Sequence, residues 1–143
     1  MLRYLKVTLG MGLMYKKGGV LPVRGYNDAS HARESDTRKG RGGYVFMSGG
    51  AAVRWRTSLL QTVTYSTCES EYVALSNAGN EAMYLRQMQG ERGNYGSGGV
   101  LLLEDNESSM KLAENQVFHR QSKNIEIKYY SIRNRVAKNQ IHL

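Results

Sequence analysis

The chain has 143 residues, with 20 Lys and Arg against 12 Asp and Glu, which gives a formal net charge of +8. This length fits one domain, and a composition of 41% hydrophobic and 22% charged residues is globular rather than disordered. A single cysteine, Cys68, excludes an internal disulfide framework and favours a reducing, intracellular compartment. The longest aliphatic run, residues 100–103, is far too short to span a membrane, and residues 1–15 lack the pattern of a secretory signal.

The start of the chain predicts a short helix followed by a strand. Leucines spaced three and four apart indicate a helix within residues 1–15, weakened near its end by Gly10 and Gly12. Residues 20–26 are apolar and β-branched enough to form a strand. Residues 31–43 mix charges with glycines, and we expect them to form an exposed loop.

A hairpin and the clearest helix of the sequence follow. Two strand-like runs, residues 44–48 and 51–56, are separated by a Gly-Gly pair, which is a strong hairpin signal. Ser66, with Glu69 three positions later, fits a capping box at the start of a helix over residues 66–90. One stripe of this helix is apolar but begins with an acid, and its members are Glu71, Leu75, Ala78, Ala82 and Leu85.

The second half of the chain alternates strand and helix. Residues 100–103 predict a strand buried on both faces, and residues 107–115 predict a helix. Residues 124–139 predict an amphipathic helix, and residues 141–143 begin an extended segment. This order indicates an α/β fold with a mixed sheet, in which an antiparallel hairpin is followed by a crossover to a parallel strand and helices flank the sheet.

Three carboxylates occupy positions that an ordinary fold does not require. Asp28 follows the first predicted strand, Asp105 follows the buried strand, and Glu71 heads the apolar stripe of the helix between them. If the two strands pair, both aspartates emerge at one edge of the sheet and the helix brings Glu71 over them. Clustered carboxylates are tolerated mainly when a cation neutralises them, and oxygen ligands without His or Cys favour Mg2+ or Mn2+.

Each of these acids also has a purely structural interpretation. Asp105 stands before a predicted helix and could be its N-cap, and Asp28 with Asn27 could form an Asx turn. Glu71 gains from the helix dipole, although Glu69 already fills the capping role. From the residues alone, both interpretations therefore remain open.

Positive charge is concentrated in the last third of the chain. Seven basic residues and two acids lie between Lys111 and Lys138. Such a surface attracts a polyanion such as nucleic acid, with an affinity that falls as salt rises. A solvated helical face explains the same charges, because a basic excess also improves solubility.

Several short segments match one known family in order and spacing. The matching segments are LRYLK (2–6), GYNDA (25–29), RK (38–39), GYVF (43–46), GG (49–50), VRW (53–55), STCESEYVAL (66–75), EDN (104–106), NQVFH (115–119), IEIKY (125–129) and IR (132–133). Together they resemble the ribonuclease H domain of a copia-type LTR retrotransposon Pol polyprotein. The resemblance covers almost the whole chain.

The resemblance implies a ribonuclease H-like fold and hydrolysis of the RNA strand of RNA/DNA hybrids during reverse transcription. It implies Mg2+ as cofactor, with Mn2+ as a substitute. Carried over by motif, Asp28, Glu71 and Asp105 are the catalytic residues and the metal ligands. Glu71 is preferred to Glu69 because the family's acid is followed by an aromatic or apolar residue and then Ala-Leu, as Glu71 is. Of the two glutamates, only Glu71 lies on the predicted buried stripe.

The resemblance also implies partners and a division of the chain. Residues 1–19 are expected to be an N-terminal helix and linker to the reverse transcriptase domain of the same polyprotein, and residues 20–143 a ribonuclease H-like domain without its final helix. The other expected partner is the RNA/DNA hybrid, and no membrane is expected as a partner. The expected location is intracellular, in a cytoplasmic virus-like particle or the nucleus. Phosphate contacts are expected from basic side chains of a loop and of the last helix, namely Arg38, Lys39, Arg41, Lys123, Lys128 and Arg133.

The sequence departs from the family pattern in ways that bear on activity. The family's fourth acid, in a motif resembling Ala-Asp-x-x-Thr-Lys, has no match before the sequence ends at Leu143. The other departures stand at Ser30, His31, Gln116, Asn124 and Glu126. We therefore expect impaired activity, and the alternatives are a catalytically inactive hybrid-binding or connection module or a decayed retroelement remnant. An integrase or transposase is disfavoured because the Glu lies between the two aspartates.

Overall fold

The computed structural model describes residues 2–16, 18, 22–31, 36–91, 98–114 and 123–143, with the side chains of residues 123–126 and 129 left aside. In chain order, the elements are α1 Leu2–Val7, β1 Arg24–Ser30, β2 Arg41–Ser48, β3 Ala51–Leu59, α2 Thr67–Glu91, β4 Val100–Leu103, α3 Glu107–Glu114, α4 Lys123–Ala137 and β5 Ile141–His142.

The five strands form one mixed sheet in the order β3-β2-β1-β4-β5. β2 is antiparallel to both β1 and β3, whereas β4 is parallel to both β1 and β5. This confirms the predicted hairpin followed by a parallel crossover strand. Gly49 and Gly50 join β2 to β3 with φ angles of 65° and 88°, a left-handed conformation that glycine adopts without strain.

The helix α2 lies across one face of the sheet and supplies much of the core. Ser66 Oγ accepts a hydrogen bond from the Glu69 N–H at 3.1 Å, which confirms the predicted N-cap. The Glu69 carboxylate accepts the N–H of Tyr65 rather than that of the cap residue. The predicted stripe is confirmed as well: four of its members are buried and the last is partly buried, in the order Glu71, Leu75, Ala78, Ala82 and Leu85.

Two sequence-based boundaries differ from the structure. Asp28 lies inside β1 and is paired with Gly43, because β2 pairs with β1 over its whole length and carries the strand past Tyr26. The predicted loop of residues 31–43 ends early, because β2 already begins at Arg41. Gly42 is buried beneath α2, where a Cβ would stand 3.1 Å from that of Ala74. The missing side chain thus allows helix and strand to approach closely.

The prediction that β4 is buried on both faces is wrong. Val100 and Leu102 are 2% and 0% exposed, whereas Leu103 is 39% exposed. Core residues of α2, α3 and α4 pack with Leu102 on one face of the sheet. Within the described part of the chain, the opposite face leaves Tyr26 and Trp55 exposed.

The N-terminal segment is tied to the sheet by two hydrogen bonds. The helix α1 has no buried residue. The Tyr15 hydroxyl donates to the carbonyl oxygen of Ala52 at 2.7 Å, and the backbone N–H of Lys16 donates to the carbonyl oxygen of Gly49 at 2.9 Å. The short helix predicted here is confirmed, whereas the division into residues 1–19 and 20–143 stays a prediction. Among the described helices, none is both long enough and apolar enough for a bilayer.

The C-terminal elements agree with the predicted helix and extended segment. Ile132 of α4 is fully buried in the core, and Ile141 of β5 packs in the same cluster. Arg133 Nε donates to the carbonyl oxygen of Leu112 at 2.9 Å, which links α4 to α3. The family-like segment at residues 115–119 lies outside the described residues.

Candidate metal centre

Asp28, Glu71 and Asp105 converge at one edge of the sheet. Each offers one carboxylate oxygen, and these three atoms all lie within 4.8 Å of one another. β1 and β4 are parallel neighbours, and their pairing ends at Tyr26 with Leu103. Asp28 and Asp105 therefore each follow the last pair at the same edge of the sheet. The structure therefore brings together the three acids that the sequence analysis selected, while their roles as ligands and catalysts stay predictions.

Glu71 forms the buried floor of this cluster. Its side chain is 4% exposed, and Oε2 has no hydrogen-bond partner in the described part of the chain. Burial, followed by the negative charges of Glu104 and Asp28, raises the pKa of Glu71 to about 8, although a hydrogen bond from the Ala29 backbone opposes the shift. Without a cation, the protonated form of Glu71 therefore predominates at neutral pH.

Asp28 and Asp105 form the open side of the cluster, because both residues are exposed. The structural alternatives for these two acids are wrong. Asp28 is a strand residue rather than part of an Asx turn. The N-cap of α3 is Asn106, whose Oδ1 accepts the N–H of Ser109 at 3.0 Å, so Asp105 is not needed as a cap.

Glu104 is a fourth acid near Glu71, and it has no predicted role in the site. Its Oε2 accepts a hydrogen bond from Asn27 Nδ2 at 2.5 Å, and its Oε1 accepts the Asn106 N–H at 3.1 Å. Burial is the main cause that raises the pKa of Glu104, and the charges of Asp105 and Asp28 add to it. The Glu-Asp-Asn run after a buried strand was the available signal, but nothing local showed which residue Glu104 would meet.

A polar cluster also ties the end of β1 to the start of α2. His31 Nδ1 lies 3.2 Å from both Thr64 Oγ1 and Ser70 Oγ, and those two hydroxyl oxygens are 2.6 Å apart. Ser70 immediately precedes Glu71, and His31 lies three residues after Asp28. The cluster therefore helps to set how α2 sits over the strand that carries Asp28.

Of the predicted phosphate-binding residues in and beside the loop, Arg41 lies on the sheet face that carries Asp28. Ser30 pairs with Arg41 and Asp28 pairs with Gly43, so Arg41 shares a sheet face with Asp28. Arg41 and Arg38 are exposed, Lys39 is half-exposed, and Arg38 has a left-handed φ of 54°.

The predicted phosphate-binding residues of α4 are less free. Lys128 is half-buried, and burial lowers the pKa of its ammonium group. The Arg133 side chain already contacts the Leu112 carbonyl. The side chain of Lys123 lies outside the described residues. Nucleic-acid binding by all six residues stays a prediction.

Known proteins resemble this chain in sequence. It is 36% identical over 136 residues to the retrovirus-related Pol polyprotein from transposon TNT 1-94 of Nicotiana tabacum, a match that covers 94% of this chain and 10% of that protein. It is 32% identical over 135 residues to the retrovirus-related Pol polyprotein from transposon RE2 of Arabidopsis thaliana, covering 94% of this chain and 9% of that protein. The chain thus spans about one tenth of the length of these relatives. No family model matches the chain.

Solved structures resemble it in fold. The N-terminal RNase H domain of rv2228c from Mycobacterium tuberculosis superposes with a TM-score of 0.57 at 11% identity, covering 85% of this chain and 78% of that chain. LC11-RNase H1 in complex with an RNA/DNA hybrid superposes with a TM-score of 0.54 at 13% identity, covering 82% of this chain and 78% of that chain. The resemblance inferred from the sequence is therefore confirmed: over 94% of its length the chain is homologous to a short part of the copia-like retrovirus-related Pol polyproteins, and it has the fold of ribonuclease H domains.

Proposed function

We propose that this chain is the ribonuclease H domain of a retrotransposon Pol polyprotein, which hydrolyses the RNA strand of RNA/DNA hybrids with Mg2+ as its cofactor. The main support is the convergence of the oxygens of Asp28, Glu71 and Asp105 within 4.8 Å of one another. Homology to Pol polyproteins and the fold that LC11-RNase H1 shows with a bound hybrid are consistent with this activity.

The chemistry of the three acids fits a divalent cation. All three donors are carboxylate oxygens, which Mg2+ and Mn2+ prefer over the nitrogen and sulfur donors of zinc sites. Glu71 Oε2 has no hydrogen-bond partner among the described residues, so it is a buried acceptor that a cation would satisfy. A cation would also offset the negative charges of Glu104 and Asp28, which add to the effect of burial in raising the pKa of Glu71. A bound ion would supply activation of a water and charge stabilisation at the leaving 3′ oxygen of the RNA.

The three residues contribute in different ways. Glu71, held by α2 on the buried side, would act as a ligand in its deprotonated form, because a cation would offset the charges of Glu104 and Asp28 that, together with burial, raise its pKa. Asp28 and Asp105 face solvent and complete the site from the side on which a duplex can approach. The site is therefore closed by the core behind Glu71 and open in front of the two aspartates.

The loop before β2 is suited to hold the duplex. Arg38 and Arg41 are exposed, and Arg41 lies on the sheet face that carries Asp28. Contacts from such side chains to phosphates position a duplex without reading its sequence. The 2′-hydroxyl then provides the difference between the RNA strand and the DNA strand. The reverse transcriptase domain of the same polyprotein is the proposed neighbour of residues 1–19, within a cytoplasmic virus-like particle or the nucleus.

Cleavage of an end-labelled RNA/DNA hybrid tests the proposal. We expect cleavage of the RNA strand that requires Mg2+ or Mn2+ and that falls about 100-fold or more in Asp28→Asn and Asp105→Asn, because each variant removes a ligand charge. Glu107→Gln, an exposed acid of α3, is the matched control and should cleave normally.

Binding measured on the same labelled hybrid, beside its cleavage, separates the non-catalytic alternative. A hybrid-binding module would bind the duplex with a steep salt dependence, would not cleave it, and would bind equally well after Asp105→Asn. Binding without cleavage in both Mg2+ and Mn2+ would overturn the proposed activity.

A further inference from the structure

Glu104 connects the two strands at the point where their backbone pairing stops. The last backbone pair between β1 and β4 is Tyr26 with Leu103. Continued by one position, the same register places Asn27 opposite Glu104, and by two positions it places Asp28 opposite Asp105. At the first of these positions the link is a side-chain hydrogen bond, from Asn27 Nδ2 to Glu104 Oε2 at 2.5 Å. The bond therefore continues the strand pairing up to the acids.

Glu104 is also attached on its other side. Its Oε1 accepts the backbone N–H of Asn106 at 3.1 Å. Asn106 is itself fixed at the start of α3, because its Oδ1 accepts the Ser109 N–H and its carbonyl oxygen accepts the Ser109 hydroxyl, both at 3.0 Å. One side chain thus joins the residue before Asp28 to the residue after Asp105.

This arrangement makes Glu104 a support for the site rather than one of its ligands. Both of its oxygens already accept hydrogen bonds from the chain. Asn27 is 7% exposed, so its amide nitrogen needs an acceptor within the protein, and Glu104 provides one. Groups that hold metal ligands in place from behind commonly change metal affinity by about 10- to 100-fold when they are removed.

We propose that Glu104 is a positioning residue: through Asn27 and Asn106 it sets the separation of Asp28 and Asp105 and thereby the affinity of the site for a divalent cation. The inference rests on the proposed metal site. It concerns a residue whose contribution is geometric, so a neutral side chain of the same shape should preserve much of it.

Mn2+ affinity, measured by calorimetric titration of the full chain, tests this role. We expect Glu104→Ala to weaken Mn2+ binding about 10-fold or more, and Glu104→Gln to recover most of that loss. Glutamine can still accept the Asn106 N–H, and its amide can pair with the Oδ1 of Asn27, which has no partner in the described part of the chain. Because both variants lose the same charge, the difference between them isolates position.

Two further variants complete the design. Asn27→Ala breaks the same link from the β1 side without changing charge, and it should weaken Mn2+ binding to a similar degree. It also serves if Glu104→Ala does not fold, which circular dichroism reveals. The double variant with both Asn27→Ala and Glu104→Ala should bind Mn2+ no more weakly than the weaker-binding of the two single variants, because both substitutions remove the same interaction. Glu107→Gln removes a charge from the exposed part of α3 and should bind as the unaltered chain does.

The outcomes are distinguishable. An unaltered chain that binds no Mn2+ overturns the proposed function and this inference together. Normal binding by the unaltered chain and by Glu104→Ala overturns the inference alone. Equal weakening in Glu104→Ala and Glu104→Gln attributes the effect to charge and also overturns the positioning role.

Discussion

Two glutamates on the same helix have opposite surroundings. Glu81 of α2 forms an ion pair with Arg54 Nε at 2.9 Å and accepts the Tyr44 hydroxyl at 2.8 Å. Glu71, ten residues earlier, lies among the carboxylates of Asp28, Asp105 and Glu104. An acid balanced by its own chain stabilises the fold, whereas an acid surrounded by acids needs a proton or a cation from outside.

The two surroundings also differ in their effect on protonation. Near Glu81, burial and the hydrogen bond to the carboxylate raise the pKa of Tyr44, and the carboxylate charge raises that of Arg54. Both shifts favour the forms that these groups already have at neutral pH. Near Glu71, burial and like charge raise the pKa to about 8, which places a proton and a cation in competition. Glu81 is therefore an acid whose charge the fold itself balances, and Glu71 is an acid whose charge the fold leaves unbalanced.

The largest expected difference is in metal affinity. Glu71→Gln should weaken Mn2+ binding by about 100-fold or more, because it removes a ligand charge rather than a supporting group. Glu81→Gln should bind Mn2+ normally, since its carboxylate is engaged by Arg54 and Tyr44. Calorimetric titration of both variants provides the measurement. Normal Mn2+ binding by Glu71→Gln would show that Glu71 is not a ligand.

The next largest effect is on the pH dependence of stability without metal. Between about pH 4.5 and 8 the folded chain holds a proton on Glu71 that the unfolded chain has released, so the free energy of unfolding falls as pH rises. The shift from 4.5 to about 8 corresponds to an upper bound of about 5 kcal/mol, and solvent at the open side of the site screens part of it. We therefore expect a loss on the order of 2 kcal/mol across this range, measured by urea unfolding in EDTA. Glu71→Gln should remove that loss and Glu81→Gln should retain it. If the free energy of unfolding of Glu71→Gln fell with pH as steeply as that of the unaltered chain, the raised pKa of Glu71 would be contradicted.

A smaller effect is expected from the balanced acid itself. Glu81→Gln should lower the free energy of unfolding by about 1 kcal/mol, because the Arg54 side chain is 54% exposed and its ion pair is therefore partly screened. The urea midpoint should fall while the slope of the transition stays constant. Glu71→Gln, measured at pH 8 without metal, should instead raise the midpoint. The opposite signs are the sharpest contrast between the two acids.

The smallest effect is expected at the solvated ion pair of α3. Glu107 Oε2 and Lys111 Nζ lie 3.1 Å apart, and the two side chains are 78% and 69% exposed. Glu107→Ala should change the free energy of unfolding by no more than about 0.5 kcal/mol, because exposed pairs one helical turn apart contribute little. If Glu107→Ala lowered the free energy of unfolding as much as Glu81→Gln does, the greater exposure of the Glu107–Lys111 pair would not explain a difference between the two ion pairs.

Local sequence patterns were sufficient for much of the fold and for the three acids. The Gly-Gly hairpin, the Ser66 cap and the four buried positions of the α2 stripe all depend on neighbours a few residues away. Glu71 could be selected because an acid on an apolar stripe is visible within one helix. Asp28 and Asp105 could be selected because each stands near the end of a predicted strand, although β1 runs to Ser30 and not to the predicted end at Tyr26.

Contacts between distant segments decided the rest. The sequence by itself determined the alternation of strands and helices and which carboxylates had no obvious structural need, since these follow from periodicity and turn residues. Only the tertiary structure showed that Asn106 caps α3 in place of Asp105, that one face of β4 is exposed, and that Glu104 meets an amide 77 residues away. The physical reason is that a side chain's hydrogen-bond partner and burial depend on strand order and register, which no local pattern specifies.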